Sequence, residues 1–442
     1  MENNLIQWIE NAGIVGAGGA GFPTHVKLNA RAEYVIVNGA ECEPLLRVDQ
    51  QLMDVYSSEI VMALSEVVKA VGARQGIIAL KKKYKNAVNK LLNAVKSNSE
   101  LDIFLLEDFY PAGDEQVTVY EVLKRIVPEG GIPLNVETVV INPETLLNVY
   151  NALKNEPVTE KFLTVTGAVR NPITVKVPIG TAISEIIEIA GGATCDEYAV
   201  IEGGPMMGGI INPEQAVVRK NTKGIIVIPK NHSLVMAKKK AIETMIRESR
   251  ISCCHCSLCT DICPRNLLGH KLHPDKLMRI AGYNSTCDAN SKVTEAFLCC
   301  ECGLCEQVCV MELQPWKLNK FLKRRLSDNG VKNPNSRKPE KVSQFREYRK
   351  FPVKKLIGRL GLEKYNVDAP LVEVKKDISN RVKIELRQHI GVCAEPVVSL
   401  GDVIIKGQLI GDIPEGKMGA KIHASIDGIV TWVSENSIVI ER

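Results

Sequence analysis

The chain reads as a multidomain α/β protein, and three observations carry that reading. Between residues 34 and 150, apolar runs of strand length alternate with amphipathic helical stretches, the pattern of a parallel sheet covered on both faces. Between Cys253 and Cys309 lie eleven of the fourteen cysteines, in two runs of equal spacing. From residue 380 onward, short alternating strands return, punctuated by Gly-Asp turns. A length of 442 residues gives room for several domains, each with its own core.

Composition narrows the class. Aromatic residues make up only 5%, too few for a nucleic-acid stacking platform, so no nucleic-acid partner is expected. The formal net charge of +5 is unevenly spread: residues 317–359 hold fifteen Lys/Arg against three Asp/Glu. No run of eighteen apolar residues is present, and the N-terminus lacks a basic region followed by an apolar stretch, so neither a membrane span nor a secretory leader is expected. Unpaired thiols fit a reducing cytoplasm.

Taken in order, residues 5–12 predict a short helix. Five glycines follow in nine positions, Gly13 to Gly21. Gly16, Gly18 and Gly21 satisfy G-x-G-x-x-G, but they follow a helix and precede a strand at 34–38, the reverse of the ordinary dinucleotide setting. Residues without side chains still let backbone N–H groups close on a phosphate or a flat ring; a purely structural turn is the competing reading. Asn38, Glu41 and Glu43 stand at the C-terminal end of the 34–38 strand, where α/β sheets bind ligands. A helix at 54–71, a strand at 76–80, a helix at 84–96 and a strand at 101–106 continue the alternation. Phe109 to Gln116 (FYPAGDEQ) forms a loop leading into a helix, and 139–150 gives strand, loop and helix start.

Residues 160–230 turn β-rich, with one helix at 181–190 and the loop IEGGPMMGG, read as a turn packing on the cysteine-rich domain in preference to a second nucleotide loop. A charged helix at 236–250 leads into that domain. Cys253, Cys256, Cys259 and Cys263 give C-x2-C-x2-C-x3-C followed by Pro264, and Cys299, Cys302, Cys305 and Cys309 repeat the spacing. This is the pattern of two-cluster ferredoxins, in which the fourth cysteine of each run serves the other cluster. The expected sets are therefore Cys253, Cys256, Cys259 and Cys309 on one [4Fe–4S] cluster, with Cys299, Cys302, Cys305 and Cys263 on the other. Zinc sites need four ligands in two pairs, and disulfide frameworks belong to short secreted chains. Cys254, Cys287 and Cys300 remain as spare thiols. His270 and His273, in the insert between the motifs, are read as surface residues because eight cysteines already fill eight ligand positions. The basic tract 317–359 reads as a solvated linker, with docking to an acidic partner the lesser reading. The tail carries no lysine at Ser425 to Gly428, where a carrier hairpin would need one.

The order GAGGAGFPTHVK, NGAECEP, YPAGDE and INPET resembles the flavin- and NADH-binding subunit of respiratory complex I, and is closer to the RnfC component of Rnf-type complexes. With THVKL, ECEPLLRVDQ and CPRNLLGH, the whole also resembles cobalamin reductases of microcompartments and the electron-transfer proteins of D-proline reductase. The resemblance implies a Rossmann-like FMN and NADH domain (1–155), a β-grasp SLBB module (156–235), an all-α ferredoxin-like two-[4Fe–4S] domain (236–325), a basic linker (326–375) and a C-terminal barrel-sandwich hybrid (376–442). It implies that Gly16, Gly18, Gly19 and Gly21 line FMN, with Lys27 on its phosphate side, and that Asn38, Glu41, Gly113 and Asn142 contribute to its site. Phe22, Glu43 and Glu115 fall where the family meets the nicotinamide nucleotide, the two glutamates as catalytic candidates. Ala17 and Ala40 stand where complex I carries polar residues. The implied partners are NADH and an acceptor, either cobalamin or a partner reductase, together with assembly into an oligomer or a microcompartment complex. A non-catalytic electron wire is the alternative of another class. The D-x-H-x-x-G pattern of base-off corrinoid binders is absent.

Overall fold

A computed structural model describes residues 4–283, 292–374 and 379–442. Cys287 and the expected boundary at 375/376 lie outside the described residues.

The first domain is built on a four-stranded parallel sheet in the order Leu101–Leu106, Gln75–Lys81, Tyr34–Gly39, Thr138–Ile141. Val35, Ile36 and Val37 in the central strand are fully buried, as a sheet covered on both faces requires. The 54–71 stretch is two helices, Val48–Val55 and Ser57–Val71, broken at Tyr56. The earlier helix starts where it does because the Glu41 carboxylate accepts the N–H groups of Asp49 (2.8 Å) and Gln50 (3.2 Å), a cap supplied from outside the helix. Asn142 caps Pro143–Ala152 by accepting from the Glu144 N–H at 2.9 Å, with Pro143 in the first turn.

The second domain holds a six-stranded mixed sheet in the order Leu371–Val372, Ile173–Pro178, Glu160–Gly167, Gly224–Pro229, Tyr198–Glu202, Gly209–Ile211. The helix Ile183–Ile189 packs its isoleucines into the same core. The cysteine-rich region contains only helices and turns among the described residues, chiefly Ile242–Ser252, Pro274–Gly282 and Pro315–Asp328. The charged helix expected at 236–250 divides into Ser233–Lys239 and Ile242–Ser252. The tail forms two small sheets: Arg381–Glu385, Ser437–Glu441, Gly428–Val433, Val403–Ile404, and Glu395–Pro396, Leu409–Asp412, Ile422–His423.

The basic tract departs from the linker reading. Phe351–Pro352 pairs antiparallel with Phe109–Tyr110, and Val353, Leu356, Ile357, Leu360, Leu362 and Tyr365 enter the core of the second domain. Part of its charge is paired: Arg337 with Glu129, Arg346 with Glu121 and Arg349 with Asp261 across domains, and Lys323 with Glu301 within the cysteine-rich domain. Nine of its fifteen cations stay exposed, so the tract is a strap with a solvated basic side. His270 is also buried, its Nε2 2.9 Å from the Val127 carbonyl, which corrects its assignment to the surface. No helix among the described residues is long and apolar enough to cross a membrane.

Candidate functional site

The glycine-rich loop closes on itself through the Gly16 N–H, which donates to the Phe22 carbonyl at 2.9 Å. A side chain at Gly18 would place its Cβ 2.9 Å from Asn142 Nδ2 and 3.4 Å from Lys223 Nζ, whereas Gly19 faces open space. Gly21 adopts φ +72°, a left-handed conformation, and a Cβ added there would stand 3.0 Å from the Gln388 carbonyl oxygen. The loop is thus seated on Asn142 on one side and on the C-terminal module on the other.

Beneath the loop lies a buried polar network that sequence reasoning did not find. Asp49 pairs with Lys223 and accepts from Asn142 Nδ2 at 3.0 Å, and Glu144 pairs with Lys161 and accepts the Phe162 N–H at 3.1 Å. The Ala17 N–H donates to Thr145 Oγ1 at 3.0 Å, tying the loop to the same helix start. Burial raises the carboxyl pKa of Glu144 and lowers the ammonium pKa of Lys161, so desolvation outweighs their attraction. Burial also lowers Lys223, but the charges of Asp49, Glu41 and Glu144 more than offset it and the net shift is upward. Lys161 and Lys223 come from the second domain, far along the chain, and no local pattern marks them.

The residues named from sequence separate into pairs. Asn38 Nδ2 donates to the Gly113 carbonyl at 2.8 Å, joining two of them directly. Lys27 and Glu115 form an ion pair at 2.8 Å beside the loop. Glu41 is committed to capping Val48–Val55, and burial followed by the charge of Asp49 raises its pKa. Both Glu43 oxygens accept backbone N–H groups, from Met206 at 3.0 Å and Met207 at 2.9 Å, so this carboxylate fastens the GGPMMGG loop. Phe22 is half-buried at the end of the glycine run. For FMN the fit rests on three features: the cradle that a Cβ at Gly18 would fill, the buried Asp49 Oδ1, and the Asn221 Oδ1, both oxygens without a partner. Asn221 lies against the loop, its amide donating to the Gly19 carbonyl at 3.3 Å.

The two cysteine motifs share one backbone form. His255 and Ser257 are left-handed (φ 59° and 60°) in the first, and Glu301 and Gly303 (φ 58° and 77°) occupy the same places in the second. Alternating handedness turns successive N–H groups inward, a concavity suited to an anionic cluster. Short helices, Leu258–Asp261 and Leu304–Gln307, follow each turn. Burial, with the charges of Cys309 and Cys253 among its neighbours, pushes the Cys259 thiol up to about 12; Cys263, raised likewise by burial, has Cys299 and Cys300 as neighbours. Cys309 and Cys253 belong to the set expected with Cys259, and Cys299 to that expected with Cys263, while Cys300 is a spare thiol. All thirteen described cysteines are free; no three His, Cys, Asp or Glu side chains among the described residues are grouped to hold a single metal ion, and the fit to two [4Fe–4S] clusters rests on the two matching turns and the eight thiols of their motifs. Of the spare thiols, Cys254 is exposed and Cys300 lies against Cys302 and Arg265.

The two sites are clasped together. Arg265, directly after Cys263 and Pro264, makes a forked pair to Asp114 (2.5 and 2.8 Å) while Asp114 caps the helix Glu115–Leu123. The buried Tyr110 hydroxyl donates to the Cys302 carbonyl at 2.6 Å. The GGPMMGG loop packs by Met206 against Gly303, as its reading as a turn against the cysteine domain expects, and Lys238 holds it by donating to Gly208 O at 2.6 Å. Burial lowers the Lys238 pKa to about 8.

Comparison with known proteins finds the four expected domain types, the last beginning within the stretch expected to be linker. Residues 9–151 match the Nuo51 FMN-binding domain, 162–208 the SLBB domain, 252–314 the 4Fe-4S dicluster domain and 366–441 the RnfC barrel sandwich hybrid domain. The chain is 43% identical to "Cobalamin reductase PduS" of Citrobacter freundii, over 98% of this chain and 95% of that one. Identity to the protein of the same name in Salmonella typhimurium is 42% over the same shares. A component of the Na(+)-translocating ferredoxin:NAD(+) oxidoreductase complex of Acetobacterium woodii is 34% identical over 58% of this chain and 57% of that one. Among solved structures, the NAD+-reducing [NiFe]-hydrogenase in its H2-reduced state shares the fold, with a TM-score of 0.50 and 20% identity, covering 75% of this chain and 67% of that one.

Proposed function

The chain belongs to the PduS cobalamin reductase family, and from that premise we propose that it is an NADH-dependent oxidoreductase that passes electrons through FMN and two [4Fe–4S] clusters to cobalamin. FMN, when bound, accepts a two-electron hydride and releases single electrons, which iron–sulfur clusters can carry. The observation that carries the reading is the clasp between Asp114 and Arg265 and between Tyr110 and Cys302, which ties the glycine-loop domain to one of the two cluster sets.

Gly16, Gly18, Gly19 and Gly21 supply the cradle, Asn38, Gly113 and Asn142 the polar edge, and Lys27 the cation on the phosphate side. Phe22 and Glu115 border the space left for the nicotinamide nucleotide. Glu43 serves that site indirectly, by holding the Met206 and Met207 turn in place. By the same resemblance, the protein works in the cytoplasm within a microcompartment, next to an enzyme that consumes reduced corrinoid.

The test is anaerobic. Reconstituted protein should carry about eight iron per chain, NADH should bleach its flavin band, and hydroxocobalamin should then be reduced faster than by an equal amount of free FMN. If dithionite bleaches the flavin and NADH does not, the NADH-dependent reading is wrong.

A further inference from the structure

The two cysteine sets are alike in backbone and unlike in surroundings. In the set of Cys263, Cys299, Cys302 and Cys305, three ligands are buried and the fourth half-buried. Two contacts from the flavin domain meet this set: Tyr110 on the Cys302 carbonyl, and Asp114 on Arg265 beside Cys263. In the set of Cys253, Cys256, Cys259 and Cys309 only Cys259 is buried. Cys256 is exposed, and Cys253 and Cys309 are half-buried.

Around that outer set the flanking side chains are apolar and open to solvent. Ile251 is 77% exposed, Leu258 40%, Val310 61% and Met311 44%, and each lies within two residues of one of these four ligands. No Asp, Glu, Lys or Arg occurs from Ile251 to Leu258 or at Val310 and Met311. Exposed apolar side chains on both segments beside an exposed metal ligand, edged by the exposed Arg250 and Glu312, have the character of a binding face.

We propose that electrons leave the protein at the Cys253/Cys256/Cys259/Cys309 cluster, and that the rim of Ile251, Leu258, Val310 and Met311 is the docking face for a corrinoid. This rests on the cobalamin reading above and adds where the acceptor binds. The corrin ring is broad and edged with methyl groups and uncharged carboxamides, which suits a rim without charges. An acidic protein carrier would instead need a basic face, and none of the four rim side chains is charged.

The electrons balance simply. One NADH yields NAD+, one proton and two electrons; each corrinoid takes one electron, cobalt(III) to cobalt(II) or cobalt(II) to cobalt(I). One NADH therefore reduces two corrinoids in succession at the same face.

The experiment uses the full-length, reconstituted holoprotein with Ile251→Glu and Met311→Glu combined, and Ile251→Val with Met311→Leu as the conservative pair. Two readouts are taken: the KM for hydroxocobalamin under NADH, and equilibrium binding of cyanocobalamin to the oxidised protein. The acidic pair should raise KM and weaken binding by about tenfold or more, and the conservative pair should restore both. Iron content and flavin bleaching, taken on the same samples, report whether the upstream half is intact. Unchanged KM and binding in the acidic pair, with iron and bleaching intact, would overturn the docking face and leave the cobalamin reading standing. Wild-type protein whose flavin bleaches with NADH but which does not reduce hydroxocobalamin would overturn the cobalamin reading, and the face with it. Bleaching lost in the acidic pair but kept in single Met311→Glu, with unchanged corrinoid binding there, would equally reject the face.

Discussion

Two stretches of this chain carry the same cysteine spacing and the same left-handed residues, yet sit in opposite settings. Cys302 and Cys305 are buried where three domains meet; Cys256 is exposed, with the exposed Ile251 and Leu258 close to it in the chain. The difference teaches that spacing decides what is ligated, while the residues packed around each turn decide what the ligated group is for. The buried turn is held by groups from outside its own domain, Tyr110, Asp114 and Met206, and by Lys323 from the helix Pro315–Asp328 within it.

That contrast predicts unequal sensitivity. The largest effect on stability is expected from Arg265→Met, which leaves the Asp114 carboxylate buried without its partner. Breaking such a pair costs about 3–5 kcal/mol, and adding Asp114→Asn should recover part of the loss. Denaturant unfolding of the single and double variants checks this. If Arg265→Met costs less than about 1 kcal/mol, the inner set is no better anchored than the outer one.

Much of the architecture is legible in the sequence. The eight ligands follow from C-x2-C-x2-C-x3-C, because a tight turn around a cluster leaves little freedom in spacing. The parallel sheet follows from strands with continuous apolar runs, such as Val35 to Val37 in Tyr34–Gly39. What is not legible is non-local polar pairing. Nothing near Arg265 announces a carboxylate 151 residues earlier, and nothing near Lys223 announces Asp49. The tract at 317–359 shows its charge but not its partners, so a strap reads as a linker. Glu43 stands out for the right reason, an acid at a strand's C-terminal end, but its oxygens are taken by Met206 and Met207. The start of Val48–Val55 escapes notice because Glu41 supplies its cap from seven residues before the helix begins.

A second prediction separates the flavin loop from both cysteine sets. His389 and His423, buried in the C-terminal module that seats Gly21, have pKa values lowered by burial, then by the charge of Lys220, to about 4 and about 3. The unfolded chain binds their protons from about pH 6.5 downward while the folded protein does not. Their contribution is therefore fully present above that pH and is lost as pH falls towards 4. The loss should reach about 2 kcal/mol, and FMN should dissociate before iron. Replacing both histidines with Gln should flatten the acid limb of a melting-temperature profile; an unchanged limb would remove them as its cause.

The smallest effects sharpen the contrast most finely. Tyr110→Phe strips a buried donor from the Cys302 carbonyl and should cost about 1–2 kcal/mol, read as faster iron loss from the inner set to a chelator. Lys320→Met removes an exposed pair to Glu301 in the same turn and should change stability by less than about 0.5 kcal/mol. Equal effects of the two would mean that the domain contact at Tyr110 gives the inner set no special protection.

The most direct measurement of the central claim compares Cys302→Ser with Cys256→Ser after anaerobic reconstitution, each verified to keep its flavin and about four iron. NADH is added, and the surviving cluster is followed by rapid-freeze electron paramagnetic resonance alongside cobalamin reduction. Cys256→Ser should still deliver electrons to its remaining cluster at the wild-type rate and fail to reduce cobalamin. Cys302→Ser should bleach its flavin yet leave the outer cluster oxidised. Reduction of that outer cluster in Cys302→Ser as fast as in the wild type would contradict the order from inner set to outer set.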